Sequence, residues 1–122
     1  MTNPDLLKEI LKDSNYHLGL FTPEEIDALR QKVSVREYRK KQTAFVNCIV
    51  REKEIQLKPE EVVRQLYAAR LINTYGYPKS RLAFEYSVVF GRQKKKADIV
   101  IFDKNRPDAP YIVVEIKRVC FK

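Results

Sequence analysis

Apolar residues in the N-terminal part of the chain recur every three to four positions, which is the spacing of amphipathic helices. One helix is predicted over residues 5 to 12, where four apolar side chains share a stripe. A second begins at Thr22, which can cap the helix and form a capping box with Glu25. Its apolar face is expected to continue to Val33, so the first 40 residues are predicted to be mainly helical.

Residues 43 to 57 are ambiguous, because their apolar spacing suits either a strand or a short helix. The next helix has clearer limits. Pro59 opens its first turn together with Glu60 and Glu61, apolar residues follow at helical spacing, and Gly76 supplies the stop. A helix is therefore predicted between Pro59 and Gly76.

The period changes to two after Arg81, which predicts strands. Residues 82 to 90 alternate between two faces, residues 97 to 102 are apolar on both faces, and residues 110 to 117 form a third apolar run. The loop at residues 103 to 109 is rich in turn formers. Short loops favour an antiparallel meander with the preceding helix packed on one face, so the expected fold class is α+β.

Composition places the chain among globular proteins and narrows its chemistry. Of its 122 residues, 44% are hydrophobic and 33% are charged, and no apolar run approaches the roughly 20 residues of a membrane helix. The N-terminus does not have the pattern of a signal peptide, so a cytoplasmic protein without a membrane partner is expected. Two distant cysteines, one histidine and three glycines build neither a zinc site nor a phosphate-binding loop. Both cysteines are expected to be reduced.

Three charged residues lie where a purely structural sheet rarely has them. Asp98 opens an otherwise apolar strand, and Glu115 and Lys117 close another. Side chains two apart in a strand share a face, so Glu115 and Lys117 point the same way. If the two strands pair across their loop, Asp98 lies at the same end, and two carboxylates and an ammonium converge at the edge of the sheet.

This set suits metal-dependent hydrolysis of a phosphodiester. Two carboxylates offer hard oxygen ligands for Mg²⁺, and the backbone carbonyl of Ile116 offers a further one. A neighbouring lysine can orient or deprotonate the attacking water, or stabilise developing negative charge. The alternative is structural: Glu115 and Lys117 form a salt bridge at a strand end, and Asp98 is a turn residue.

Four segments together resemble a known family. Asp98, an intervening hairpin and Glu115-Ile116-Lys117 are similar to the motif of the PD-(D/E)xK nuclease superfamily. In the wider context, the chain resembles the N-terminal nuclease domain of type I restriction enzyme R subunits. The segments that carry this resemblance are KPEEVVRQ (58 to 65), YGYPKSRLAFEYSV (75 to 88), KKADIVIFD (95 to 103) and YIVVEIKR (111 to 118).

The resemblance implies a restriction-endonuclease-like core of α/β/α type, with a central mixed sheet, a β-meander, flanking helices and additional N-terminal helices. The implied domains are an N-terminal helical arm at 1–54 and the nuclease core at 55–122. It also implies that Asp98, Glu115 and Lys117 are catalytic. The implied metal ligands are Asp98, Glu115, Ile116 and a helix glutamate, for which Glu61 is the first candidate and Glu60 the second. A structural role explains the two glutamates equally well, because acidic residues in the first turn of a helix interact favourably with the helix dipole.

Two departures from the family pattern bear on activity. Ala97 replaces the proline of the motif, which is common in the superfamily. R-subunit nuclease domains also resemble one another in a glutamine–tyrosine motif downstream of the lysine, and this chain ends at Lys122 before such a motif. The chain is therefore expected to be a fragment of a longer R subunit, truncated at its C-terminus, or a stand-alone relative. ATP would be used only by a translocase outside this chain.

The charge balance supports a polyanionic partner. The net charge is +8, and a basic loop directly before Asp98 contains Arg92, Lys94, Lys95 and Lys96. Such a loop can contact phosphates without reading sequence, or it can be a solubilising hairpin tip. The basic stretch from Arg36 to Lys41 can likewise contact nucleic acid, or it can be a solvent-exposed face of a helix.

Three functions therefore compete. The first is a Mg²⁺-dependent endonuclease that cuts double-stranded DNA as part of a type I restriction–modification complex, with methylation and specificity subunits as partners. The second is a nucleic-acid-binding or partner-binding module of the same fold, which uses both basic stretches and does not cleave. The third is an enzyme that acts on RNA or on branched DNA, such as a repair or junction nuclease.

Overall fold

The computed structural model describes residues 6–11, 18–19 and 21–116 of the chain. The helices are α1 (Leu6–Leu11), α2 (Pro23–Arg30) and α3 (Pro59–Asn73), and a 3₁₀ turn spans Lys79–Arg81. The strands are β1 (Val33–Tyr38), β2 (Lys41–Asn47), β3 (Glu54–Gln56), β4 (Leu82–Phe90), β5 (Gln93–Phe102) and β6 (Pro110–Val114). No helix in these ranges is long and apolar enough to cross a membrane.

The predicted start of α2 and both predicted limits of α3 are confirmed. The Thr22 hydroxyl accepts a hydrogen bond from the Glu25 amide at 3.1 Å, and the Glu25 carboxylate accepts one from the Thr22 amide at 2.8 Å. This reciprocal capping box fixes the start of α2. At the end of α3, the Thr74 amide donates to the Arg70 carbonyl, and Gly76 adopts a φ of 77°. That left-handed conformation favours glycine and ends the helix.

The expectation that the first 40 residues are mainly helical is wrong from residue 33 onward. Val33 opens β1 rather than extending α2, and β1 pairs antiparallel with β2 from Val33↔Val46 to Tyr38↔Lys41. The ambiguous segment 43 to 57 consists of strand, a turn and the short strand β3. The physical reason is that the pairing of these strands is a tertiary interaction, which the apolar spacing of a single segment does not reveal.

The C-terminal half confirms the predicted meander. Strand β4 spans the predicted residues, β5 extends four residues further towards the N-terminus than predicted, and β6 ends at Val114 instead of residue 117. The strand order is β4-β5-β6, with both pairs antiparallel. The α+β class is confirmed. Instead of one mixed sheet, the described strands form two three-stranded antiparallel sheets, because residues 33 to 56 contribute a sheet of their own.

Helix α3 contributes to both parts of the hydrophobic core. Its Val62, Val63 and Leu66 pack with residues of α1, α2, β1 and β2, including the fully buried Leu7 and Val46. Further along the helix, Ala68 packs in a second cluster whose other buried members are Cys48, Leu82, Phe84, Ile99 and Ile101. The two sheets are therefore linked through α3. The expected division between residues 54 and 55 falls within β3.

Candidate active site

The β5–β6 ladder positions the first predicted pair of acids. Ile99 pairs with Val114, so continuing the antiparallel register by one residue places Asp98 opposite Glu115. The Ile116 amide donates a hydrogen bond of 2.7 Å to Asp98 Oδ2, which holds the chain after β6 against the start of the apolar part of β5. Asp98 is thus fixed by backbone pairing and by a hydrogen bond to its side chain.

A buried arginine of α3 gathers the acids around Asp98. Arg64 is 5% exposed at its side chain, and its guanidinium lies 2.6 Å from Glu61 Oε1, 2.7 Å from Glu60 Oε1, 3.2 Å from Asp98 Oδ1 and 3.5 Å from Glu85 Oε1. Positions three and four residues apart on a helix face each other, which brings both glutamates to Arg64. We call these five residues the acid–arginine cluster.

Glu85 joins the cluster through an unusual backbone conformation. The pairs Phe84↔Ile99 and Tyr86↔Ala97 flank it, so the register places Glu85 opposite Asp98. Its φ is 52°, which is strained for a residue with a side chain and which occurs often at functional sites. Glu85 also contacts Arg51 Nη2 at 3.3 Å. Glu85 is thus the half-exposed member of the cluster, in contact with Arg64 on one side and with solvent on the other.

Both carboxylate oxygens of Glu61 have partners. Oε1 accepts from Arg64, and Oε2 accepts from the Gln65 side-chain amide at 3.0 Å. The same amide contacts Cys48 Sγ at 3.2 Å, and the Gln65 carbonyl oxygen accepts from the Ile49 amide at 3.0 Å. Cys48 is buried and forms no disulfide with a described residue, whereas Cys120 lies outside the described residues. Gln65 therefore fixes the orientation of a buried acid.

Proximity changes the protonation behaviour of the cluster. A hydrogen bond to Asp98, assisted by burial, raises the pKa of Glu60 above its usual range. Burial alone would raise the pKa of Asp98, but the Ile116 amide, Glu60 and Arg64 outweigh it, and the net shift is downward. Burial also opposes the charge of Arg64, yet the surrounding acids raise its pKa. Glu60 is consequently the acid of the pair that takes up a proton first.

The other predicted site residues are placed differently. Glu115 Oε2 lies 3.1 Å from the ammonium of Lys95, one of the basic residues expected to face phosphates. Lys117, the predicted catalytic lysine, lies outside the described residues, so its distance from Glu115 stays a prediction. The structure brings Asp98, Glu60, Glu61 and the Ile116 backbone together, and it shows Glu115 beside Lys95.

The donor chemistry of the cluster suits a hard divalent cation. Its oxygens are carboxylates, which are the ligands that Mg²⁺ prefers, and they already stabilise one cation, the Arg64 guanidinium. Within the described ranges, however, no three histidine, cysteine or acidic side chains come together as a metal-binding group. A surface cavity of about 170 Å³ opens beside the cluster, and its lining residues are Gln56, Lys58, Glu60, Glu61, Arg64 and Glu85.

Sequence reasoning missed Arg64 and Gln65 as site residues, although both belong to the KPEEVVRQ segment that it singled out. The available signal was their position. Both lie between Val63 and Leu66 in the part of α3 that builds the core, where a structural helix would have apolar residues. Polar residues inside an apolar stripe, three and four positions after Glu61, indicate a buried network.

Comparison with known proteins identifies the family. The sequence profile described as "Type I restriction enzyme R protein N terminus" matches residues 59–122, which is more than half of the chain. The match begins at the first residue of α3 and contains the whole acid–arginine cluster as well as Glu115. Searches of curated proteins and of solved structures gave no match. On the strength of the profile match, the chain belongs to the family of type I restriction enzyme R protein N-terminal regions.

Proposed function

We propose that this chain is the Mg²⁺-dependent endonuclease domain of a type I restriction enzyme R subunit and that it hydrolyses DNA phosphodiester bonds. The observation that supports this most is the position of Asp98. Continuing the β5–β6 register places it opposite Glu115, the residue after β6, and it shares the Arg64 guanidinium with Glu60 of α3, inside the family-matched region. An acid from a helix and two acids from neighbouring strands are the residue types that such chemistry requires.

In this proposal, Asp98 and Glu115 hold the metal together with Glu61 or Glu60 and the carbonyl of Ile116. When bound, Mg²⁺ supplies charge neutralisation at the scissile phosphate and acidifies a bound water. Lys117, two residues after Glu115, orients or deprotonates the attacking water. Arg64 holds the acids close together by contacting them, and the Ile116 amide orients the Asp98 carboxylate.

The basic part of the β4–β5 hairpin supports double-stranded DNA as the substrate. Arg92, Lys94, Lys95 and Lys96 are exposed, and the last of them lies two residues before Asp98. Phosphate contacts from such residues position a duplex without reading its sequence. We infer that sequence selection comes from separate specificity and methylation subunits and that ATP is used only by a translocase outside this chain.

Cleavage of supercoiled plasmid tests the proposal, both with the complete restriction complex and with this chain alone. We expect Mg²⁺ or Mn²⁺ to be required, and we expect Asp98→Asn and Lys117→Ala to reduce cleavage at least about 100-fold. Asp103→Asn is the matched control, because Asp103 pairs with Arg106 in an exposed loop away from the cluster. Wild-type cleavage by folded Asp98→Asn or Lys117→Ala protein would refute the assignment.

One observation favours a second function, a nucleic-acid-binding module without cleavage. Arg64 already contacts Asp98, Glu60 and Glu61 and offsets part of their negative charge in the absence of a metal. A binding module would bind DNA equally well in EDTA and in Mg²⁺, and isothermal titration of Mn²⁺ would detect no Asp98-dependent site. A nuclease would show metal binding that Asp98→Asn abolishes.

A further inference from the structure

The β1–β2 hairpin projects from the rest of the molecule over its distal half. Val33 is buried at its base, but every residue from Ser34 to Tyr38 is exposed, as are Lys41 and Gln42 on the returning strand. A strand that packs on a core buries alternate residues. Exposure of consecutive residues means that both faces of this segment keep much of their side chains in solvent, although Arg36 and Tyr38 pack over the Phe45 ring. We call residues 34–42 the hairpin arm.

The turn of the arm has residues that its conformation disfavours. Tyr38 pairs with Lys41, which leaves a two-residue loop of Arg39 and Lys40 with φ values of 51° and 68°. Positive φ at both loop residues is the type I′ pattern, in which Asn-Gly is strongly preferred. Each residue with a side chain costs roughly 1 kcal/mol or more in this region. Local stability therefore does not account for an arginine and a lysine at the tip.

Most positive charge of the arm has no acidic partner. Arg36 pairs with Glu54 and stacks over the Phe45 ring, 3.9 Å from its centroid. Arg39 lies over the Tyr38 ring at 5.2 Å, but within the described part of the chain neither Arg39 nor Lys40 forms a salt bridge. Lys41 likewise has no salt bridge to a described residue. Counting the exposed acid Glu37 as well, the arm has four basic residues and one acid, a net charge of +3, and three of its cations project into solvent on a narrow two-stranded ribbon.

We propose that the hairpin arm binds the sugar–phosphate backbone of duplex DNA. The argument is charge complementarity: adjacent unneutralised cations on a projecting ribbon match the regularly spaced phosphates of a duplex, and their binding releases condensed counterions. The arm lies outside the family-matched region and does not include the acid–arginine cluster. This binding surface is independent of the metal, of the cluster and of whether the chain cleaves DNA.

The test is fluorescence anisotropy with a labelled duplex of about 30 base pairs, in EDTA, over a series of salt concentrations. The informative variant is Arg39→Asn/Lys40→Gly, which supplies the preferred turn residues while removing both charges. We expect its thermal stability to equal or exceed that of wild type, because the turn strain is relieved. We expect weaker DNA binding, and a slope of log affinity against log salt that is smaller by about 2.

Lys53→Gln/Lys104→Gln is the matched control, since it removes two exposed charges outside the arm. This control should retain nearly the wild-type salt slope. The proposal is overturned if the Arg39→Asn/Lys40→Gly variant has the same affinity and salt slope as the control. Because EDTA excludes metal-dependent cleavage, this result is separate from the fate of the nuclease assignment.

Discussion

A single side chain, Arg64, offsets part of the negative charge of the candidate site and holds its acids together. Its guanidinium contacts four carboxylates, and its Nε is buried without a hydrogen-bond partner among the described residues. Removing one partner of a buried ionic network leaves the others uncompensated, which costs more than the network contributes as a whole. Loss of Arg64 would therefore destabilise the fold, because the acids around it would repel one another without a cation between them.

We predict that Arg64→Leu lowers the free energy of unfolding by about 3–5 kcal/mol at pH 7. The loss should be smaller at pH 5 than at pH 8. Glu60 has a raised pKa in the folded state, and without Arg64 its neutral form is favoured further, so low pH relieves the repulsion with Asp98. Urea unfolding at both pH values measures this. Arg106→Leu, which breaks an exposed pair with Asp103, should cost below about 1 kcal/mol. Equal losses for the two variants would contradict the prediction.

At the scale of elements, an ion pair links α2 to α3. Arg70 Nε and Nη2 donate to the two carboxylate oxygens of Glu25 at 3.0 and 2.7 Å. The Arg70 hydrogen bond, together with the Thr22 amide, lowers the pKa of Glu25 from 4.5 to about 2. Glu25 thus closes the capping box of its own helix and also connects that helix to the central one.

We predict that Glu25→Gln lowers the free energy of unfolding by roughly 1–2 kcal/mol at pH 7, as expected for hydrogen bonds to charged groups. A lowered folded-state pKa stabilises the protein fully above pH 4.5, and this contribution disappears as the pH falls towards 2. The difference between wild type and variant should therefore shrink over that range in urea unfolding. Glu24→Gln, which changes an exposed neighbour in the same first turn, is the matched control and should cost less than about 1 kcal/mol at pH 7.

The elements that are predicted correctly from the sequence are determined by residues close together in the chain. Thr22 with Glu25 determines the start of α2, and a change of apolar period marks β4, so one segment suffices in each case. The hairpin at 33–47 was missed because Val33 suits a helix face as well as a strand, and pairing with β2 decides between them. Likewise, Arg64 contacts Asp98 across 34 residues of chain, a proximity that only the packed fold creates.

At the scale of the whole molecule, α3 is the element on which both halves depend. The family match begins at α3, yet Val62, Val63 and Leu66 of this helix are buried against Leu7, Phe21, Leu29 and Val46 from the preceding region. Burying one such side chain contributes about 1.5–3 kcal/mol, and a whole domain is stable by only about 5–15 kcal/mol. Loss of these contacts would remove most of the stability of the C-terminal part.

We therefore predict that a fragment of residues 55–122 does not fold cooperatively by itself. It exposes the apolar face of α3 and should bind a hydrophobic dye, with no sigmoidal urea transition by circular dichroism. The full chain measured in parallel should show one transition. A fragment with a free energy of unfolding close to that of the full chain would show that the division at residues 54 and 55 separates independent domains. The expected outcome instead makes the N-terminal region part of the same folding unit, so that any activity of the acid–arginine cluster requires residues outside the family-matched segment.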